Sequence, residues 1–283
     1  MVNVDRVRKI TRLFQTAFEH FQRGRIADAE RSYRKILSLD PSSADALHYL
    51  GVIALQSGKV QEAADLIGRS IVANGKNPHS HYHMGLALAA IGHFDETAEH
   101  TRRAIALKPD YAEAHLNLGN ALNKLAQTDE ALASYRRAIT SNPNLAVAHF
   151  NLANILAQSQ QFQAAFDSYQ RALTLKPDYV EAHNNFGTAL VSAGRWPEAA
   201  EQFRLAVAAR PQFVEALLGV ALTSHVLGKS AEAIGYVCRA LEVRPTDDAR
   251  VLFAQSIRDI DIDRKSTRLN SSHIQKSRMP SSA

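Results

Sequence analysis

An all-α solenoid of about seven 34-residue helical hairpins is the fold class this sequence predicts. Three observations carry that expectation. Pro109, Pro143, Pro177, Pro211 and Pro245 stand 34 residues apart, Pro41 lies two periods before Pro109, and Gly75 fills the slot between them. Small and bulky residues keep the same period in several registers at once. Within each period two apolar stripes appear at helical spacing, separated by a short turn. Self-similarity at this period marks a stack of supersecondary units, none of which can bury its apolar face alone.

The registers place each element in order. One runs Gly51, Gly85, Gly119, Ala153, Gly187 and Ala221 and falls on the first helix of each hairpin. A second runs Ala29, Ala63, Thr97, Ala131, Ala165, Ala199 and Ala233, and a third Ile36, Ser70, Ala104, Ala138, Ala172, Ala206 and Ala240. A bulky register, Tyr33, Ile67, Thr101, Tyr135, Tyr169, Phe203 and Val237, shares the second helix with them. In the stretch from Glu113 to Leu125 the apolar positions are Ala114, Leu118, Ala121, Leu122 and Leu125, one face of a helix. After Asp129 a second stripe follows at Ala131, Leu132, Tyr135, Ala138 and Ile139. Gly92, Gly194 and Gly228 fall in the turn, where a helix end favours a left-handed residue. Pro143 and its equivalents stop the second helix, whereas Pro197 sits just inside the start of one, which suits a residue without an amide hydrogen. Gly119 and Ala131 are expected to let the two helix backbones approach closely.

Together these registers resemble the tetratricopeptide-repeat family. The block Ala112 to Leu145 carries the pattern with His115, Leu118-Gly119, Leu122, Ala131, Tyr135, Ala138 and Pro143. The resemblance covers residues 10–247 as repeats of about 10–43, 44–77, 78–111, 112–145, 146–179, 180–213 and 214–247. It implies a right-handed superhelix whose first helices line a concave groove. Residues 1–9 are a lead-in. Residues 10–43, with Phe14, Phe18 and Phe21, read as a degenerate capping repeat. Residues 248–262 read as a partial further helix or the start of another domain. From Asp263 to His273, and again from Ser277 to Ala283, the sequence resembles a translated sequencing adapter. The natural protein is therefore expected to continue beyond residue 262, with 263–283 a non-native or disordered tail.

Charge says little about the partner. The formal net charge is +5, but residues 263–283 hold Arg264, Lys265, Arg268, Lys276 and Arg278 against Asp263 alone. The other 262 residues carry 28 basic and 27 acidic side chains, which argues against a nucleic-acid partner. No apolar run reaches the ~20 residues of a spanning helix, and no signal peptide is evident, so neither membrane insertion nor export is expected. The single Cys238 rules out an internal disulfide and fits a cytoplasmic location.

Catalytic motifs are absent: there is no P-loop, dinucleotide glycine motif, G-x-S-x-G, H-E-x-x-H or C-x-x-C. No catalytic residue, cofactor or metal is expected. His81, His115, His149 and His183 recur every 34 residues, but equivalent helices lie at least ~8–10 Å apart, too far for one zinc ion with ~2.0–2.1 Å bonds. These histidines are read as packing residues. His79 and His83 share a helix face without a third ligand nearby in sequence, and Cys238 is read as packing.

Asparagine carries the sharper signal. Asn117, Asn151 and Asn185 occupy the sixth position of three consecutive first helices, and Asn120 and Asn154 lie one turn later. Blocks such as His115-Leu116-Asn117-Leu118-Gly119 resemble the repeats of protein O-GlcNAc transferases and related bacterial proteins. That resemblance implies asparagines that hold the backbone of a bound peptide. Tyr49, His83 and Gly219 stand in the same slot in other repeats, so the ladder spans only the middle. His79, His83, Tyr49 and Lys124 are the expected groove neighbours. The function expected is a scaffold that binds peptide or protein partners in the groove. The alternative is the substrate-docking region of a truncated transferase, a glycosyltransferase or a methyltransferase.

Overall fold

A computed structural model describes residues 2–258, with side chains from residue 4 onward. The tail 263–283 and the last residues of the helix expected over 248–262 lie outside the described residues. Among those described there are helices and turns and no strand. The described residues fall into two compact units, the first ending at Ala148 and the second beginning at His149.

In the first unit α1 (Val2–Gln22) pairs with α2 (Ile26–Leu39), α3 (Ala44–Gln56) with α4 (Val60–Ala73), α5 (Pro78–Ala90) with α6 (Phe94–Leu107), and α7 (Ala112–Lys124) with α8 (Thr128–Ser141). The unit boundary falls in the first turn of α9 (Ala146–Gln158), which is followed by α10 (Phe162–Leu175). The second unit continues with α11 (Val180–Ser192) paired with α12 (Trp196–Ala209), α13 (Val214–Val226) paired with α14 (Ser230–Val243), and α15 (residues 247–258).

Two recurring devices end the helices. First helices close with a left-handed residue: Gly24, Gly58, Gly92, Gly194 and Gly228 have φ between +70° and +83°, and Ala126 and Gln160 take the same conformation at +57° and +58°. The amide beyond each one bonds back to the carbonyl five residues earlier, as in Lys59 to Ala54, Gln127 to Leu122 and Arg195 to Leu190. This bond satisfies a carbonyl that the helix end would leave orphaned. Second helices end on an extended residue just before the proline slot, such as Lys108 at φ −139°, ψ 89° and Arg210 at φ −139°, ψ 92°. Where proline follows, its ring disfavours the helical conformation in the residue before it, and Asn74 takes the same geometry before Gly75 without one.

The three second-helix registers form the core. Ala29, Ala63, Ala131, Ala165, Ala199 and Ala233 are fully buried, as are Tyr33, Ile67 and Val237, and Tyr135 and Tyr169 are nearly so. The glycine register, expected to serve close backbone approach, also admits side chains from the paired helix. A Cβ on Gly119 would stand 2.6 Å from Cε1 of Tyr135, and one on Gly187 2.7 Å from Cε1 of Phe203. The missing side chain makes room for a ring on the paired helix. At Gly51 both reasons apply, with Ile67 Cγ1 at 2.5 Å and the Ala63 carbonyl at 3.3 Å. Cys238 is half-buried in α14.

Candidate functional site

The slot that holds Asn117, Asn151 and Asn185 faces a junction between hairpins. At Tyr49, Asn117 and Gly219 the slot lies against the second-helix residue sixteen positions earlier. Tyr49 stacks on Tyr33 with ring centroids 5.3 Å apart and planes 4° from parallel. Asn117 donates from Nδ2 to Thr101 Oγ1 at 3.3 Å, and a Cβ on Gly219 would touch the Phe203 ring. Asn117 is thus buried, 7% exposed, and wired into the junction. Asn151 and Asn185 are half-buried.

One turn later the asparagines are held by tyrosines. The Tyr135 hydroxyl donates to Asn120 Oδ1 at 2.9 Å, and Tyr169 repeats the bond to Asn154 Oδ1 at 2.7 Å. Burial pushes the Tyr169 hydroxyl pKa upward, so it stays a proton donor. In the second unit the bonds join into a chain. Asn185 Nδ2 donates to Asn154 Oδ1 at 3.1 Å, and Asn184 Nδ2 donates to Asn185 Oδ1 at 3.3 Å. Both Asn154 bonds fall on its oxygen, so its NH₂ group has no protein partner among the described residues. Held by its oxygen, the Asn154 amide keeps two N–H donors for a further acceptor. Asn120 and Lys124 are exposed on α7.

The first unit fills the equivalent surface with rings. His83 donates from Nδ1 to the His79 carbonyl at 2.8 Å and lies 5.0 Å from the His48 ring. His79 Nδ1 meets the Tyr111 hydroxyl at 3.0 Å, and Tyr111 packs against Tyr82. Phe14, Phe18 and Phe21 surround Tyr49 edge-on. Burial, reinforced by His83 and His79, pushes the His48 pKa down to about 3. Burial also lowers His79, His81, His83 and His100. His48, Tyr82 and Tyr111 were not singled out in the sequence. Their rings sit on the same first-helix face, or at its edge, and only proximity across repeats identifies them.

The periodic histidines have another role. His81, His115, His149 and His183 are buried, between 7% and 9% exposed. The Nε2 atoms of His81, His115 and His183 donate to the carbonyls of Gly75, Pro109 and Pro177, at 3.1, 2.9 and 2.9 Å. They tie the start of a first helix to the loop that precedes it. Among the described residues no group of three or more His, Cys, Asp or Glu is placed to hold a metal ion. No described helix is long and apolar enough to cross a membrane.

A cavity of about 610 Å³ opens on the second unit over Phe203 and Gly219, bordered by α11, α13 and α15. The sequence marks it only by the absence of a side chain at Gly219 in the asparagine slot.

Family comparisons match the chain to models described as tetratricopeptide repeat over residues 16–78, 184–249 and 112–145, and as TPR repeat over 153–194. No curated protein matches the sequence. Similar solved structures include MamA, 25% identical over 56% of this chain and 94% of that one, with a TM-score of 0.54. PilF of Pseudomonas aeruginosa is 18% identical over 75% of this chain and 97% of its own, with a TM-score of 0.67. YrrB, described as a TPR protein with an unusual peptide-binding site, is 18% identical over 65% and 95%, with a TM-score of 0.56.

Proposed function

Because the chain belongs to the tetratricopeptide-repeat family, we propose that it is an interaction scaffold whose first-helix face holds an extended segment of a partner protein by its main chain. Proteins built from this repeat mediate protein interactions and are typically non-enzymatic scaffolds. One observation carries the finer reading. The tyrosine–asparagine pairs, Tyr135 with Asn120 and Tyr169 with Asn154, recur at the repeat period and clamp each amide by its oxygen. A clamped amide loses little side-chain freedom on binding, which lowers the entropic cost of each contact. The Asn154 NH₂ group suits a carbonyl of an extended peptide, whose backbone is the same whatever its sequence. YrrB, one of the similar structures, is a repeat protein with a peptide-binding site of its own.

The test exchanges the donors and keeps the clamps. Asn120→Asp and Asn154→Asp retain an acceptor for each tyrosine but replace NH₂ by an oxygen that repels a peptide carbonyl. Each lost hydrogen bond is worth about 0.5–1.5 kcal/mol. The double variant should keep its helicity and bind peptides selected from a random library roughly tenfold or more weakly, read by calorimetry. A folded double variant that binds as tightly as the unmodified chain refutes this reading of the face.

A further inference from the structure

We infer that the second unit carries an anchor pocket on its first-helix face, which takes one large apolar side chain of the bound segment beside a basic residue. The inference rests on the peptide-binding reading above and specifies the ligand. It starts from Gly219. Where α7, α9 and α11 have asparagine in the junction slot and α3 and α5 have Tyr49 and His83, α13 has no side chain. The Phe203 ring occupies the space so left. A Cβ on Gly219 would come within 2.5 Å of its Cδ1, and one on Gly187 within 2.7 Å of its Cε1, so the ring lies pressed between two glycines. Phe203 is 4% exposed and forms the floor of the cavity of about 610 Å³. Leu222 and Val251 form walls, and they are 39% and 56% exposed, unusually open for large apolar side chains lining a concavity.

Two features commit the occupant. The first is continuity with the amide chain. Asn184 lines the cavity, and its Nδ2 bonds to Asn185, whose Nδ2 bonds in turn to Asn154. A main chain held along these amides passes the cavity rim, where one of its side chains drops onto Phe203. The second is charge. Glu215 and Asp248 both line the rim. Glu215 is matched by Arg244 at 2.8 Å, whereas Asp248 has no ion pair among the described residues. The unmatched carboxylate favours a Lys or Arg next to the anchor. The cavity has the size usual for pockets that hold a compact ligand, ample for an aromatic or long aliphatic side chain.

The experiment uses the full chain and peptides selected from a random library, with circular dichroism as the check on folding. The selected peptides should be enriched in a Trp, Phe, Leu or Met next to Lys or Arg. Leu222→Glu combined with Val251→Glu places charge at two exposed positions and should lower affinity for them at least about tenfold. Asp248→Lys should abolish the basic preference and keep the apolar one. Asn154→Asp should weaken all peptides without changing the preference. If Asn154→Asp weakens binding while the Leu222/Val251 variant binds unchanged, the scaffold reading stands and the anchor pocket is wrong. If no peptide is selected at all, both fall. If sedimentation shows the unmodified chain self-associating and the Leu222/Val251 variant monomeric, a second copy fills the cavity and the proposal is overturned.

Discussion

The two units share a skeleton and differ in what they mount on it. In both, the second-helix registers are buried, and every first helix closes with a left-handed residue. The junction slot diverges. The first unit fills it with Tyr49, His83 and the buried Asn117, and surrounds it with stacked rings and neutral histidines. The second holds Asn185 in a chain of amides and has Gly219 with the Phe203 ring pressed against it. A repeat protein is stabilised by contacts between neighbours. The lesson is that positions in the hairpin core are fixed by packing, while the slot at the junction is free to change chemistry without changing the fold.

The largest expected effect tests the shared part. Gly119→Leu in the first unit and Gly187→Leu in the second each drive a side chain into a ring at 2.6–2.7 Å. Each should cost about 1–3 kcal/mol or more, by similar amounts. Gly194→Ala, at a positive φ with open space around it, should cost about 1 kcal/mol. Urea denaturation measures all three, with Trp196 fluorescence reporting α12. A much smaller loss for either leucine variant would break the claim that both units use one skeleton.

The second effect concerns the divergent part. His48 must be neutral in the folded first unit, with its pKa pushed from 6.5 to about 3. The unfolded chain therefore binds more protons below pH 6.5, and stability falls as pH drops through that value and continues to fall toward pH 3. Between pH 7.5 and 5 the loss from His48 should be about 1–2 kcal/mol. Hydrogen exchange should show protection dropping in α3 to α6. His48→Gln keeps a partner for Ser80, whose Oγ lies 3.0 Å from His48 Nδ1, and should remove much of that loss. Acid sensitivity unchanged by this substitution would assign it to another group.

The smallest effect sits in the turns. Ala126 and Gln160 hold the left-handed conformation that five glycines hold elsewhere. Ala126→Gly and Gln160→Gly should each stabilise by roughly 0.5–1 kcal/mol, since the strain of a side chain outweighs the added freedom of glycine. Thermal melts that fall instead would show that these turns are unstrained.

Much of the fold was legible because a period of 34 residues repeats each structural demand several times. Proline stops, buried alanines and turn glycines could be read directly. At Gly119 the sequence shows that a residue is small, not which group lies nearest to it; here that group is the Tyr135 ring. The site was half legible. Asparagines at fixed spacing stood out, but Asn117 lies buried against Thr101, a contact between residues of different repeats. The clamps of Asn120 and Asn154 escaped notice for a different reason: each tyrosine lies in the same repeat but fifteen residues away, on the paired helix. The cavity over Phe203 escaped notice because an absent side chain leaves no motif.

The central claim is that clamped amides on the first-helix face are the groups that touch a partner. Side-chain NH₂ resonances report it most directly. On titration of the full chain with a selected peptide, the Asn154 NH₂ signals should shift and gain protection from exchange with water, and those of Asn120 and Asn185 should shift with them. Perturbations confined to exposed second-helix residues such as Arg136 and Arg171, with the Asn154 signals unmoved, would contradict the account.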